Sequence, residues 1–166
     1  NVNYDKTKDI TMFLENDNTI QYILKDNNYN ELGCKAFDLI DGEITNKVKI
    51  NSNVDTSKIG EYNVEYTVIN SRGISKSISR KVIVYDINYD YLKEIVDGKY
   101  KVIFKFNDEY YQKTKLPDGS FNLLNEIEYI VLQNGVYIFE IYDKFNNIKK
   151  VELDITDVDN VSPTGT

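Results

Sequence analysis

Residues 62–68 read Tyr62-Asn63-Val64-Glu65-Tyr66-Thr67-Val68 and alternate apolar with polar side chains without a break. This period of two is typical of an antiparallel strand that buries one face and exposes the other to water. A polar turn follows at residues 70–73, and a second apolar-rich stretch follows at residues 78–85. These residues therefore predict a β-hairpin at the centre of the first half of the chain.

The same arrangement returns in the second half. Residues 135–140 repeat the order Gly-x-Tyr-x-apolar-Glu of residues 60–65, 75 positions later (135 against 60). A polar turn at residues 143–147 and a strand at residues 149–155 complete the second predicted hairpin. A repeat of this length is typical of tandem small β-sandwiches, so the chain is predicted to be all-β with two such domains.

Shorter segments rich in apolar and β-branched residues supply the other predicted strands, at residues 10–14, 19–24, 31–36, 47–50, 101–106 and 126–132. Residues 91–96 are compatible with one helical turn. We predict three segments along the chain: a first domain at 1–86, a second domain at 87–158, and a linker towards a following module at 159–166.

Composition excludes several classes of function. The formal net charge of −7 repels phosphate groups, and the lysines form no basic stripe, so a nucleic-acid partner is not expected. No apolar run approaches the roughly 20 residues that span a bilayer, so membrane insertion is not expected either. The single cysteine, Cys34, permits no internal disulfide. It is predicted to be a small buried core residue rather than a reactive thiol.

Several stretches of the first half stand in a fixed order, namely residues 29–36, residues 38–45 with Asp-Gly-Glu-Ile-Thr, residues 54–62 with Gly-x-Tyr, and residues 80–84. Through them, residues 10–86 resemble a family of immunoglobulin-like domains of Gram-positive bacterial surface proteins. Through residues 116–120, 134–139 and 157–163, the second half is similar to another immunoglobulin-like repeat of clostridial-type surface proteins. The resemblance implies immunoglobulin-like sandwiches, an extracellular or cell-surface location, and no catalytic residues.

Catalysis is not expected from the residues themselves. The chain has no histidine, which excludes nucleophilic catalysis with a histidine base and zinc sites with histidine ligands. It has 27 acidic residues, but nothing singles out a pair that could serve as the two carboxylates of a glycosidase. We therefore predict that the chain is not an enzyme and needs no organic cofactor.

Two acidic clusters are candidate calcium sites. Asp38 and Asp41 flank a turn, and Asp154, Asp157 and Asp159 gather near the end of the second domain. Carboxylate oxygens are ligands that calcium prefers. Aspartate also caps turns through hydrogen bonds to its own backbone, so turn capping remains the alternative at both clusters.

Four tyrosines have positions that favour a definite role. Tyr62 and Tyr137 each follow a glycine by two residues and are predicted to be tyrosine corners, whose hydroxyls bond to nearby backbone. Tyr110 and Tyr111 are candidates for stacking on sugar rings. Since neighbouring strand residues point to opposite faces, only one of these two can do so.

These features favour a structural role over a binding role. The main hypothesis is a monomeric tandem pair of spacer modules within a larger surface or secreted protein, such as an adhesin or a modular glycan-active enzyme. Its partners would be neighbouring modules of the same polypeptide. The alternative is a module that binds carbohydrate or host matrix.

Overall fold

A computed structural model describes residues 3–158, and these residues form an all-β protein. The chain divides into two compact units, Asn1–Asp86 and Ile87–Thr166. Each unit contains one three-stranded and one four-stranded sheet. The predicted fold class, all-β with β-sandwich domains, is confirmed. The predicted linker at residues 159–166 lies outside the described residues. None of the helices in the described part of the chain has the length and apolar character that a membrane crossing requires.

The described residues of the first unit form seven strands, namely β1 (Ile10–Leu14), β2 (Ile20–Leu24), β3 (Cys34–Asp38), β4 (Gly42–Glu43), β5 (Lys49–Ser52), β6 (Gly60–Ile69) and β7 (Ser75–Tyr85). Three short 3-10 helices lie between or before them, at Lys6–Asp9, Glu15–Asp17 and Thr45–Lys47. One sheet has the order β1-β3-β4 and the other has the order β2-β7-β6-β5. Strand β2 runs parallel to β7, whereas β6 and β7 form the predicted antiparallel hairpin.

The alternating stretch of β6 supplies the core of the first unit. Val64, Tyr66 and Val68 are fully buried, while the intervening side chains of Glu65 and Thr67 point outward. The buried face of β6 packs against residues of the other sheet, which β1 and β3 provide. The period of two in the sequence therefore corresponds to the two faces of a sandwich.

The described residues of the second unit form seven further strands, namely β8 (Tyr89–Val96), β9 (Lys99–Phe106), β10 (Tyr111–Lys115), β11 (Phe121–Asn122), β12 (Glu126–Val131), β13 (Gly135–Asp143) and β14 (Ile148–Ile155). Their sheets have the orders β12-β9-β8 and β11-β10-β13-β14. The repeated hairpin of the sequence is β13–β14, which is antiparallel along its whole length.

Aromatic rings join the two sheets of the second unit. Phe104 on β9 and Phe139 on β13 have ring centroids 4.8 Å apart, and Phe106 stacks on Tyr111 of β10 at 3.9 Å. Tyr129 on β12 contacts Phe139 edge-on. Such ring pairs stabilise a core beyond the area that they bury.

The helical turn predicted at residues 91–96 is wrong, because these residues belong to strand β8. The hairpin turn between β8 and β9 is Asp97-Gly98, and both residues have positive φ, 53° and 73°. Asp-Gly is a preferred pair for a two-residue hairpin turn, and this preference outweighs the pattern of residues 91–96 that is compatible with a helical turn.

Candidate functional site

The first candidate calcium cluster is organised around an arginine. Asp38 is buried and accepts hydrogen bonds from the amides of Ile40 and Asp41 at 3.0 and 2.9 Å. It also accepts from Asn70 Nδ2 at 3.0 Å and from both terminal nitrogens of Arg72, at 3.2 and 3.1 Å. The Asp41 amide, together with the Asn70, Ile40 and Arg72 donors, holds the pKa of Asp38 well below its usual range. The carboxylate thus has its cationic partner within the protein.

Asp41 also acts within the protein. Its carboxylate accepts from the Ser71 amide at 2.7 Å and from the Ser71 hydroxyl at 2.6 Å. Asp38 and Asp41 together tie the turn after β3 to the turn between β6 and β7. The geometry is that of turn capping between two loops, the alternative that the sequence left open.

The second acidic cluster is dispersed. The Asp157 carboxylate accepts a hydrogen bond from Tyr100 Oη at 2.9 Å, and burial together with this bond raises the pKa of Tyr100 to about 12. Asp154 is exposed on β14, and Asp159 lies outside the described residues. Within residues 3–158 no group of three metal-ligating side chains is close enough to hold an ion. Calcium binding at either cluster stays a prediction.

The two tyrosines proposed to stack on sugars differ in burial. Tyr111 belongs to the core, with its ring on Phe106 and its hydroxyl bonded to Thr114 Oγ1 and to the Leu124 carbonyl, both at 3.0 Å. Tyr111 is therefore the wrong candidate, because β10 begins at this residue and turns it inward. Tyr110 is half-buried, and its ring centroid lies 6.0 Å from that of Phe145.

Both predicted tyrosine corners are confirmed. Tyr62 donates a hydrogen bond to the Lys58 carbonyl at 2.8 Å, and Tyr137 donates to the Gln133 carbonyl at 2.5 Å. Each acceptor lies four residues before its tyrosine. Cys34 is buried as predicted, and burial raises the pKa of its thiol.

A buried arginine was missed by the sequence reasoning. Arg80 on β7 is fully buried and donates hydrogen bonds to three backbone carbonyls, of Glu15 at 3.0 Å, Asn18 at 2.6 Å and Gly33 at 3.1 Å. The inward position of Arg80 could have been predicted from the sequence, because Arg80 alternates with Val82 and Val84 on the inward face of β7.

Glu31 adds a carboxylate beside this arginine. It accepts hydrogen bonds from the hydroxyls of Tyr29 and Tyr66 and from the Gly33 amide at 2.8 Å. Burial and the bond to Glu31 raise the pKa of Tyr66 to about 12, so the phenol keeps its proton at neutral pH. This network fixes the loop between β2 and β3. Residues 31–33 belong to this loop, so the strand predicted at residues 31–36 begins only at Cys34.

A different surface of the second unit combines aromatic and charged side chains. On the outward face of the four-stranded sheet, the Lys113 ammonium lies 4.6 Å from the Phe121 ring centroid and 5.2 Å from that of Tyr142. Glu140, on the same face, lies 3.7 Å from the Lys115 ammonium. We call this surface the Lys113 face and define it by six residues: Lys113, Lys115, Phe121, Ile138, Glu140 and Tyr142.

The Lys113 face was detectable in part from the sequence. Glu140 and Tyr142 alternate with the buried Phe139 and Ile141, which places them on the outward side of β13. Their proximity to Phe121 depends on the pairing of β11 with β10, which no sequence pattern indicates. A shallow groove adjoins this face and is lined by residues 115–119, Ile138 and Glu140.

Comparison with known proteins supports the resemblance of the first half. A family model described as "Bacterial surface protein, Ig-like domain" matches residues 13–84, which lie within the first unit. The recognition of a bacterial immunoglobulin-like surface domain in this part of the chain is confirmed. No curated protein matches the chain.

Several solved structures are similar in fold at low identity. A lipoprotein from Bacteroides thetaiotaomicron is 19% identical, with a TM-score of 0.42, over 90% of this chain and 82% of that one. CBM51-2 with INT domains from Clostridium perfringens ZmpB, solved with GlcNAc, is 18% identical, with a TM-score of 0.39, over 90% of this chain and 39% of that one. The fibronectin(III)-like modules of Clostridium thermocellum CbhA are 12% identical, with a TM-score of 0.35, over 87% of this chain and 94% of that one. At these scores the likeness carries no argument about function.

Proposed function

We propose that the chain forms two non-catalytic structural modules of a larger bacterial cell-surface or secreted protein, such as an adhesin or a modular glycan-active enzyme. The observation that supports this best is that each unit buries its own apolar core between its own two sheets. A unit with its own core can hold its shape as a spacer beside neighbouring modules of the same polypeptide. The family that matches residues 13–84 is one of bacterial surface proteins, which favours an extracellular location. A spacer of this kind needs no second copy, so we propose that the chain acts as a monomer.

The use of the acidic residues supports a structural role. Asp55 accepts from the Ser57 amide and hydroxyl at 3.0 and 2.6 Å, and Asp118 accepts from the same two groups of Ser120 at 2.9 and 2.6 Å. Asp143, which is fully buried, accepts from the amides of Phe145 and Asn147, both at 2.8 Å. These carboxylates hold turns closed, and their hydrogen-bonding capacity is used within the fold.

A turnover assay tests the non-catalytic part of this proposal. The intact chain is incubated with panels of polysaccharides, peptides and esters, and products are measured over several hours. We expect no product above the buffer background. Saturable turnover by the purified chain, abolished when it is unfolded with urea, would overturn the proposal.

A second candidate function is the binding of carbohydrate or host matrix. Tyr111 does not support it, since its ring is in the core. The Lys113 face supports it independently, because the ring of Phe121 is 51% exposed next to charged groups that can hydrogen-bond to a ligand.

A further inference from the structure

Within residues 3–158, Lys113 holds a positive charge that no carboxylate pairs with. Its ammonium lies over two aromatic rings, and no ion pair of the described residues involves it. Aromatic faces stabilise a cation without cancelling its charge, so the ammonium keeps its capacity to bind an anion.

Two other lysines of this part of the sheet share one carboxylate. Glu140 lies 3.7 Å from the Lys115 ammonium and 4.0 Å from that of Lys150 on the adjacent strand β14. Glu152 on β14 lies opposite Ile138, and Asp118 lines the adjoining groove, so acidic residues border the face at its Ile138 end. Lys113 pairs with Tyr142 at the other end of the face.

Apolar area accompanies this charge. The Phe121 ring is 51% exposed and meets Tyr142 edge-on at 5.5 Å, and Ile138 further along β13 is 46% exposed. The strand register explains the grouping, since Phe121 pairs with Lys115, and Lys115 pairs with Glu140. The result is a sheet surface with a half-exposed aromatic ring at its edge and hydrogen-bonding groups around it.

We propose that the Lys113 face binds glycans that carry carboxylate groups, such as chains of uronic acids. The sugar carboxylate would pair with the Lys113 ammonium, and the apolar face of the sugar ring would stack on Phe121. Lys115 and Glu140 can hydrogen-bond to ring hydroxyls. This inference goes beyond the structural role and does not depend on it.

The shape of the surface favours a glycan over an acidic peptide. The groove beside the face is shallow and is lined by the turn at residues 115–119. Protein partners gain most of their affinity from side chains that fill desolvated pockets, and a shallow groove offers little of this kind of contact. A sugar ring needs only a flat ring to stack on and polar groups at its rim.

The test measures binding of the intact chain to polygalacturonate by isothermal titration calorimetry. Carboxyl-reduced polygalacturonate, which has the same linkage without the charge, is the matched ligand. We expect binding to the acidic polymer, at least tenfold weaker binding to the reduced polymer, and weakening as salt is added, since the pair is exposed. Failure to bind the acidic polymer, or equal binding of both polymers, would overturn the proposal.

Variants locate the site. Lys113→Met and Phe121→Ala are expected to lower the affinity for polygalacturonate at least tenfold each, while Lys93→Met, an exposed lysine on β8, leaves it unchanged. Circular dichroism melting checks that each variant is folded. Unchanged affinity in both folded face variants would contradict the proposal. If poly-glutamate binds as tightly as polygalacturonate, and Phe121→Ala does not weaken its binding, the face would be assigned to acidic peptides instead. None of these outcomes bears on the turnover assay, so the two proposals fail separately.

Discussion

Arg80 donates hydrogen bonds to three backbone carbonyls in the loops of the first unit, one of which, that of Gly33, also accepts from the Glu15 amide at 3.1 Å. The acceptors belong to Glu15, Asn18 and Gly33, which are spread over two loops. A guanidinium reaches separated acceptors because its donors form a rigid planar fork, whereas an ammonium is a compact point charge. The charge is also close to the Glu31 carboxylate, which lowers its cost of burial.

Replacing Arg80 is therefore expected to destabilise the first unit strongly. Arg80→Met keeps an apolar stem but removes the donors of the Glu15 and Asn18 carbonyls, while the Gly33 carbonyl still accepts from the Glu15 amide; each unpaired buried group costs about 1–3 kcal/mol. We expect a loss of at least about 2 kcal/mol in the free energy of unfolding, measured by urea denaturation. The matched control is Lys81→Met at the next position, an exposed residue paired with Glu61, for which a change within about 0.5 kcal/mol is expected. If Arg80→Met loses no more unfolding free energy than Lys81→Met, water must replace the guanidinium as the donor to these carbonyls.

The tyrosine corners make a second prediction at this scale. Tyr62→Phe and Tyr137→Phe each remove one hydroxyl that bonds to backbone, so each is expected to cost about 1 kcal/mol of unfolding free energy. Tyr142→Phe is the control, because its hydroxyl contacts Glu140 at 3.4 Å on the outward face. Equal effects in all three variants would argue that the corners contribute no specific stability.

At the scale of the element, the link between two turns of the first unit depends on one carboxylate. The turn after β3 and the turn after β6 meet at Asp38, which accepts donors from both. The donors favour the charged form, so the pKa of Asp38 is lower in the folded than in the unfolded state. A carboxylate with a lowered pKa stabilises the fold above the unfolded-state pKa of about 4, and this contribution is lost as the pH falls below it.

Asp38→Asn should therefore change how stability depends on pH. We expect a lower urea midpoint at pH 7 and a smaller further loss between pH 5 and pH 2 than in the parent chain. The reason is that the amide has no proton to take up in this range. Asp90→Asn, exposed on β8, is the control and should leave the profile unchanged. A profile of Asp38→Asn parallel to that of the parent would contradict the proposed role.

Most long strands could be predicted from the sequence because they alternate strictly. The hairpin of β6 and β7 is an example, since Val64, Tyr66 and Val68 are buried as the pattern indicates. Strand β8 was missed because only one of its faces is partly covered, so its apolar residues show no clean period. Short strands such as β4, with two residues, contain too few positions for a period to be seen.

The candidate site was harder to predict than the strands. Alternation predicts that only one of Tyr110 and Tyr111 is exposed, but it does not say which, because no strand pattern precedes them to set the inward face. The Lys113 face is formed by side chains of β10, β11 and β13 in one register. A local sequence pattern does not show which strands, distant in sequence, become neighbours in a sheet. Arg80 could have been found, since its inward position follows from alternation alone.

At the scale of the whole molecule, the two units are expected to fold separately. Fragments 1–86 and 87–158 should each unfold cooperatively, because each retains both of its sheets. In the intact chain, Val64→Ala and Phe139→Ala should each cost about 2–5 kcal/mol and should act on different unfolding transitions. Tyrosine fluorescence and circular dichroism of each fragment would check whether the fragment unfolds cooperatively. A fragment that is unfolded in water would contradict the independence of the units.

Strand β2 runs parallel to β7, and β7 is the last strand of the first unit, whereas β2 is preceded only by β1. If the chain is pulled from both sides of this unit and β1 has separated from β3, the force acts along β2 and β7 in opposite directions. The hydrogen bonds between residues 20–24 and residues 81–85 are then sheared together rather than unzipped one after another. Resistance to stretching would consequently reside in this short ladder, and a proline at position 22 or 23 would weaken it far more under tension than at rest.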